Sequence, residues 1–143
     1  MDIKGNIVLV NNLIFTSQTG IKHFDHAYQT GRPTVIVSES DASYYGCILS
    51  SSAPEAKYRF ALEPDMVYYE FKKYKKPSKA VVSKFFELKV CGYPKIGKIK
   101  PKNYLLLLKF ILEYYNNLTP SNEQEAKINE FVLEDISKQL TLK

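Results

Sequence analysis

An arginine stands directly before a proline that opens a β-branched run in Gly31-Arg32-Pro33-Thr34-Val35-Ile36-Val37-Ser38. A second apolar run, Cys47-Ile48-Leu49, ends in the hydroxyls of Ser50, Ser51 and Ser52. If the two runs pair as neighbouring strands, Arg32 and the serines come to one end of the same sheet. A guanidinium beside hydroxyls suits a phosphate, because its fork of N–H donors matches phosphate oxygens and stays charged. The only arginines are Arg32 and Arg59, in a chain whose 20 basic residues are otherwise lysines. His23 and His26 flank Asp25, and imidazoles have a reference pKa near ~6.5, suited to proton transfer around neutrality.

These groups match the needs of RNA strand scission without a metal. The 2′-OH must lose a proton, the leaving oxygen must gain one, and the crowded phosphorane must be stabilised. Arg32 would stabilise the phosphorane, a serine would hold a phosphate oxygen, and His23 or His26 would move protons. Plainer readings stand beside this one: an arginine capping a sheet edge, serines in a loop, exposed histidines. Two Cys and two His with no close cysteine pair give no zinc spacing. No Gly-rich phosphate loop and no Gly-x-Ser-x-Gly elbow occurs, and no metal or cofactor is expected.

The elements that must position these residues read as one domain over 1–143, with a β region over 5–100 and helices over 101–118 and 121–141. Ile7–Val10, Thr34–Ser38 and Tyr44–Leu49 read as strands. Residues 58–62 and 66–71 suggest a hairpin around Glu63-Pro64-Asp65. Residues 80–83 and 85–90 continue the sheet with a bend near Lys84, and 92–99 reads as an extended connector. Pro101 then opens a helix, where its missing N–H costs little. Ser121 and Gln124 form a capping box for a second helix. Short strands followed by helices predict a small curled antiparallel sheet with helices packed on it. The residues 11–31 form a long polar connection of a kind that is often functional.

The net charge is +5, and its placement says more than its total. Eleven of the 20 basic residues fall between Lys72 and Lys102, opposed there only by Glu87. Such a stripe attracts polyanions, with Lys72, Lys73, Lys75 and Lys76 as its densest part. Tyr68, Tyr69, Tyr74 and Tyr93 are interleaved with it, and aromatics beside cations suit stacking on single-stranded bases. In a strand such aromatics equally serve packing. The opening residues lack the layout of a secretory signal, and no apolar run approaches the ~20 residues of a membrane span. The expectation is a cytoplasmic chain away from membranes, with Cys47 and Cys91 as reduced core residues.

The order of these motifs resembles the MazF/PemK family of bacterial toxin endoribonucleases. The resemblance rests on Gly5-Asn6-Ile7-Val8-Leu9-Val10, on Arg32-Pro33 with its β-branched strand, on Ile48-Leu49-Ser50-Ser51-Ser52, and on Gly97-Lys98-Ile99 leading into a helix. A more distant likeness is to ToxN-like toxins, which an RNA antitoxin restrains. The resemblance implies a mainly β fold with α (α+β), an SH3-like small barrel with C-terminal helices packed on it, and a homodimer. It implies metal-independent cleavage of single-stranded RNA and an antitoxin partner, a protein in preference to an RNA. The family's catalytic arginine falls on Arg32 and its catalytic hydroxyl on Ser51, with Ser50 and Ser52 one step away as RNA contacts. Asn6 stands where the family carries an acid, and the long loop with His23 and His26 and the last helix depart from its pattern. The alternative is a non-catalytic SH3-like module that binds nucleic acid or protein. A third reading is an interaction protein whose C-terminal helix binds the partner.

Overall fold

The computed structural model describes residues 2–11, 31–50, 58–116 and 123–142. Eight strands form one antiparallel sheet: β1 (Asn6–Val10), β2 (Arg32–Glu39), β3 (Ser43–Ser50), β4 (Arg59–Leu62), β5 (Val67–Tyr69), β6 (Ser78–Val81), β7 (Phe86–Lys89) and β8 (Lys95–Ile99). Helices α1 (Pro101–Tyr115) and α2 (Glu123–Thr141) follow. The order across the sheet is β4-β6-β3-β2-β1-β8-β5, with β7 also paired to β3. No described helix is long and apolar enough to cross a membrane.

Chain connectivity forces the sheet to curl. β4 and β5 are its opposite edges, yet only residues 63–66 join them. Five extended chain steps reach at most about 18 Å. Seven strands laid flat would hold the edges about 29 Å apart. The edges are therefore drawn towards each other, but among the described residues no ladder joins β4 to β5, and the sheet stays open. The expected hairpin between these two segments does not form. β4 pairs with β6 and β5 with β8, and a 3-10 turn over Pro64–Met66 carries the chain from one edge to the other.

A second departure is β8, which the sequence suggested was a connector and which lies between β1 and β5. A register shift against β1 explains why its pattern is hard to read. It turns both Ile96 and Ile99 into the main core, three positions apart instead of two. Gly97 is needed where β5 crosses it, since a Cβ there would lie 3.0 Å from the Tyr68 carbonyl oxygen. The bend expected near Lys84 is present. β6 and β7 lie end to end along one side of β3, interrupted at residues 82–85.

The helices cover one face of the sheet. Leu107, Leu108 and Ile111 of α1 and Val132 and Ile136 of α2 pack with Val35, Cys47, Leu49 and Leu62 of the strands. A bulge in β2 fastens α2. The register against β3 shifts between Ile36 and Ser38, so the Val37 carbonyl leaves the ladder. Gln139 Nε2 donates to that carbonyl at 2.8 Å. Tyr104 Oη of α1 donates to Gln139 Oε1 at 2.6 Å, and Ser38 Oγ donates to Asp135 Oδ2 at 2.7 Å. A smaller cluster of Val8, Val10, Ile36, Phe86 and Leu88 lies on the opposite face. Cys47 is buried as expected, but Cys91 is exposed beyond β7 and is no core residue; both thiols are free.

Candidate nucleic-acid interface

Alternate residues of a strand share a face, so strand register decides which side chains meet. Thr34 of β2 pairs with Ile48 of β3. Arg32 and Ser50 each lie two residues beyond that pair, which puts them on the same face at the same end of β2 and β3. On the other side of β3, Ser50 pairs with Lys79 of β6, and Lys79 pairs with Ala61 of β4. Arg59, two residues before Ala61, shares the face. Arg32, Ser50 and Lys79 thus share one face of three adjacent strands, with Ser50 and Lys79 directly paired, roughly 5 Å apart. The row faces away from the helices, because the alternating residues Leu49, Ala80 and Leu62 lie in the helix-covered core.

Both arginines of the chain therefore stand on one face, at one end of the sheet. Arg32, Ser50, Arg59 and Lys79 are each half-buried. The Nε atoms of both arginines are shielded from solvent, and the Arg59 guanidinium lies 4.8 Å from the Tyr58 ring centre. Partial burial lowers the local dielectric and strengthens the pull of these cations on an anion. Gly31 sets the entry of Arg32 into β2: its φ is +94°, and a Cβ there would come 3.1 Å from the Val10 carbonyl oxygen. Thr34 Oγ1 donates to the Arg32 carbonyl at 3.2 Å.

The basic cluster expected between the strands lies on the β5–β6 connection. Lys72, Lys73, Lys75 and Lys76 are all exposed there, around a 3-10 turn over Lys72–Tyr74. Lys76 precedes Lys79 by three residues, at most about 11 Å along the chain, so the cluster leads directly into the row. Ser51, Ser52, His23, His26, the residues 12–30 and the Ser121 cap lie outside the described residues. Sequence reasoning did not single out Lys79 or Arg59 as site residues. The scarcity of arginine pointed to Arg59, but only the register shows that it shares a face with Arg32.

Neither the Cys47 thiol nor a metal cluster competes for the chemistry among the described residues. Burial pushes the Cys47 thiol up to about 12, so it stays protonated and unreactive near neutrality. No three His, Cys, Asp or Glu side chains gather to hold a metal ion among the described residues. The row can bind a phosphate through charge and hydrogen bonds, and it can neutralise charge that builds on that phosphate. No protein-family model matches this chain, and no curated protein matches it significantly.

Proposed function

We propose that this chain is a toxin-type endoribonuclease of a bacterial toxin–antitoxin system, cutting single-stranded RNA without a metal. The observation that carries the reading is the row of Arg32, Ser50 and Lys79 on the helix-free face. In the proposed reaction the 2′-oxygen attacks the adjacent phosphorus and the bond to the 5′-oxygen breaks. The products are a 2′,3′-cyclic phosphate and a 5′-hydroxyl. Arg32 offsets the charge of the phosphorane, and Ser50 or its neighbour Ser51 donates to a non-bridging oxygen. His23 or His26 takes the 2′ proton or returns one to the leaving oxygen. Lys72, Lys73, Lys75 and Lys76, with Ser52, hold the flanking backbone.

The sequence resemblance to MazF/PemK toxins and the curled sheet support the same reading. Edges drawn together by residues 63–66 suit the small SH3-like barrel of that family. A homodimer and a protein antitoxin that covers the cationic row complete it. The test is cleavage of a mixed single-stranded RNA in EDTA by the wild type, Arg32→Ala and Arg32→Lys. Cutting by the wild type, with a loss of about a hundredfold or more in Arg32→Ala and only partial recovery in Arg32→Lys, supports the reading. RNA that is bound but never cut replaces the enzyme with a binding module.

A further inference from the structure

Strand β5 and the β5–β6 connection carry aromatic surface that neither the core nor the cleavage row uses. Tyr68 is 60% exposed and Phe71 is 52% exposed, the two most exposed aromatic rings among the large exposed side chains of the described residues. The other tyrosines of this region are occupied elsewhere. Tyr69 packs on the main core, as does Tyr74, whose ring meets Phe71 edge-on at 6.2 Å. Tyr93 donates through its hydroxyl to the Lys89 carbonyl at 2.7 Å. Register places Tyr68 on the same face as the row: Tyr68 pairs with Lys98 and Lys98 with Asn6. Asn6 alternates with Val8 and Val10, and Val10 pairs with Arg32.

Cations surround the two exposed rings. The Lys100 ammonium stands 5.1 Å from the Tyr68 ring centre. Lys72 and Lys73 directly follow Phe71. The one acid of the segment, Glu70, is paired with Lys95 at 3.5 Å. Phosphates therefore meet little opposing charge along the 68–76 segment. β5 itself is a sheet edge of only three residues, Val67–Tyr69. Short edges bordered by lysines are poor templates for an added peptide strand. Exposed rings beside free-reaching ammonium groups instead fit bases that stack while their phosphates are neutralised.

We infer that Tyr68 and Phe71 form a base-stacking platform for single-stranded nucleic acid, with Lys72, Lys73 and Lys100 on its phosphates, and that the strand runs from it along Lys75 and Lys76 to the row at Lys79. The inference rests on the proposed function for the identity of the strand's far end. It adds that the partner must have unpaired bases, because a duplex keeps its base faces stacked inside.

The probe is a 12-nucleotide single-stranded 2′-deoxy oligonucleotide, which lacks the attacking hydroxyl, with its duplex as the comparison. Affinities are read by fluorescence anisotropy for the wild type, Tyr68→Ala, Phe71→Ala, the double variant and Tyr68→Phe. Each alanine change should weaken single-strand binding by about five- to a hundredfold, and Tyr68→Phe should keep it, since stacking needs the ring alone. Duplex binding should be weaker in the wild type and unmoved by the alanine changes. Single-strand binding that is absent in the wild type, or unchanged in the double variant, overturns the platform. Equal losses for single strand and duplex overturn it too, since only charge is then being read. RNA cleavage separates the two proposals. A wild type that never cuts RNA, with the ring effect intact, removes the enzyme and leaves the platform. A wild type that cuts, with binding indifferent to both rings, removes the platform alone.

Discussion

The two faces of the sheet are built from the same strands, yet they spend their residues differently. The helix-covered face takes one residue of each alternating pair: Leu49, Ala80 and Leu62 are buried there with Leu107, Leu108 and Ile136. The opposite face takes the other residue, and at one end it collects Ser50, Lys79 and Arg32. A strand period of two lets one segment serve stability on one side and charge on the other. The difference teaches that alternate residues of one strand can serve different ends, one set packing under the helices and the other facing away from them.

The sharpest way to break that contrast is to cut into the covered face. Leu108 is fully buried, and Leu108→Ala should lower unfolding free energy by about 2–5 kcal/mol in urea titrations. A loss under about 1 kcal/mol would mean that the helices are not part of the stabilising core. The polar clamp between α2 and the bulge comes next. Gln139→Leu removes the donor to the Val37 carbonyl and should cost about 1–3 kcal/mol in the same titration. Hydrogen exchange should then show α2 opening more readily than α1, and uniform loosening of both helices would argue against a local clamp.

Alkaline pH tests the covered face through its thiol. The Cys47 pKa is raised from 9.0 to about 12 by burial, so the unfolded chain releases this proton before the folded one does. Its contribution is complete below about pH 9 and is lost as pH rises towards 12, at up to about 1.4 kcal/mol per pH unit. Burial also raises the Tyr104 and Tyr115 hydroxyls, which extend the loss at higher pH. Unfolding free energy measured at pH 8 and pH 10 should fall, and Cys47→Val should flatten the drop. An unchanged drop in that variant would assign it to the tyrosines alone.

The smallest stability effect is expected at the half-buried Lys79 on the helix-free face. Lys79→Ala should change unfolding free energy by less than about 1 kcal/mol, while reducing the salt dependence of single-strand binding by about 0.7 in the log–log slope. A large loss of stability there would show that the row holds the sheet together instead of serving a ligand.

Much of this architecture was legible in residue order. The β-branched run from Thr34 to Val37 marks β2, and the apolar spacing of Leu105, Leu108 and Leu112 marks α1 as a helix, although its buried residues are Leu107, Leu108 and Ile111. β8 was not legible, because a register shift spreads Ile96 and Ile99 to a spacing of three, which departs from the strand period of two. The false hairpin had the same root. Glu63-Pro64-Asp65 is a turn by composition, but composition does not tell whether a turn joins neighbours or opposite edges.

The sequence by itself determined the fold class, the identity of the cations and their scarcity of acidic company, because side-chain period and charge are local properties. It also nominated Arg32, since an arginine before a strand-opening proline stands out in a chain rich in lysine. Only the tertiary structure decided that Arg32, Ser50, Arg59 and Lys79 share one face, because register is set by long-range pairing between β2, β3, β6 and β4. Only the tertiary structure separated Tyr68 and Phe71 from the tyrosines that pack inside, because burial depends on what the curled sheet and its helices cover.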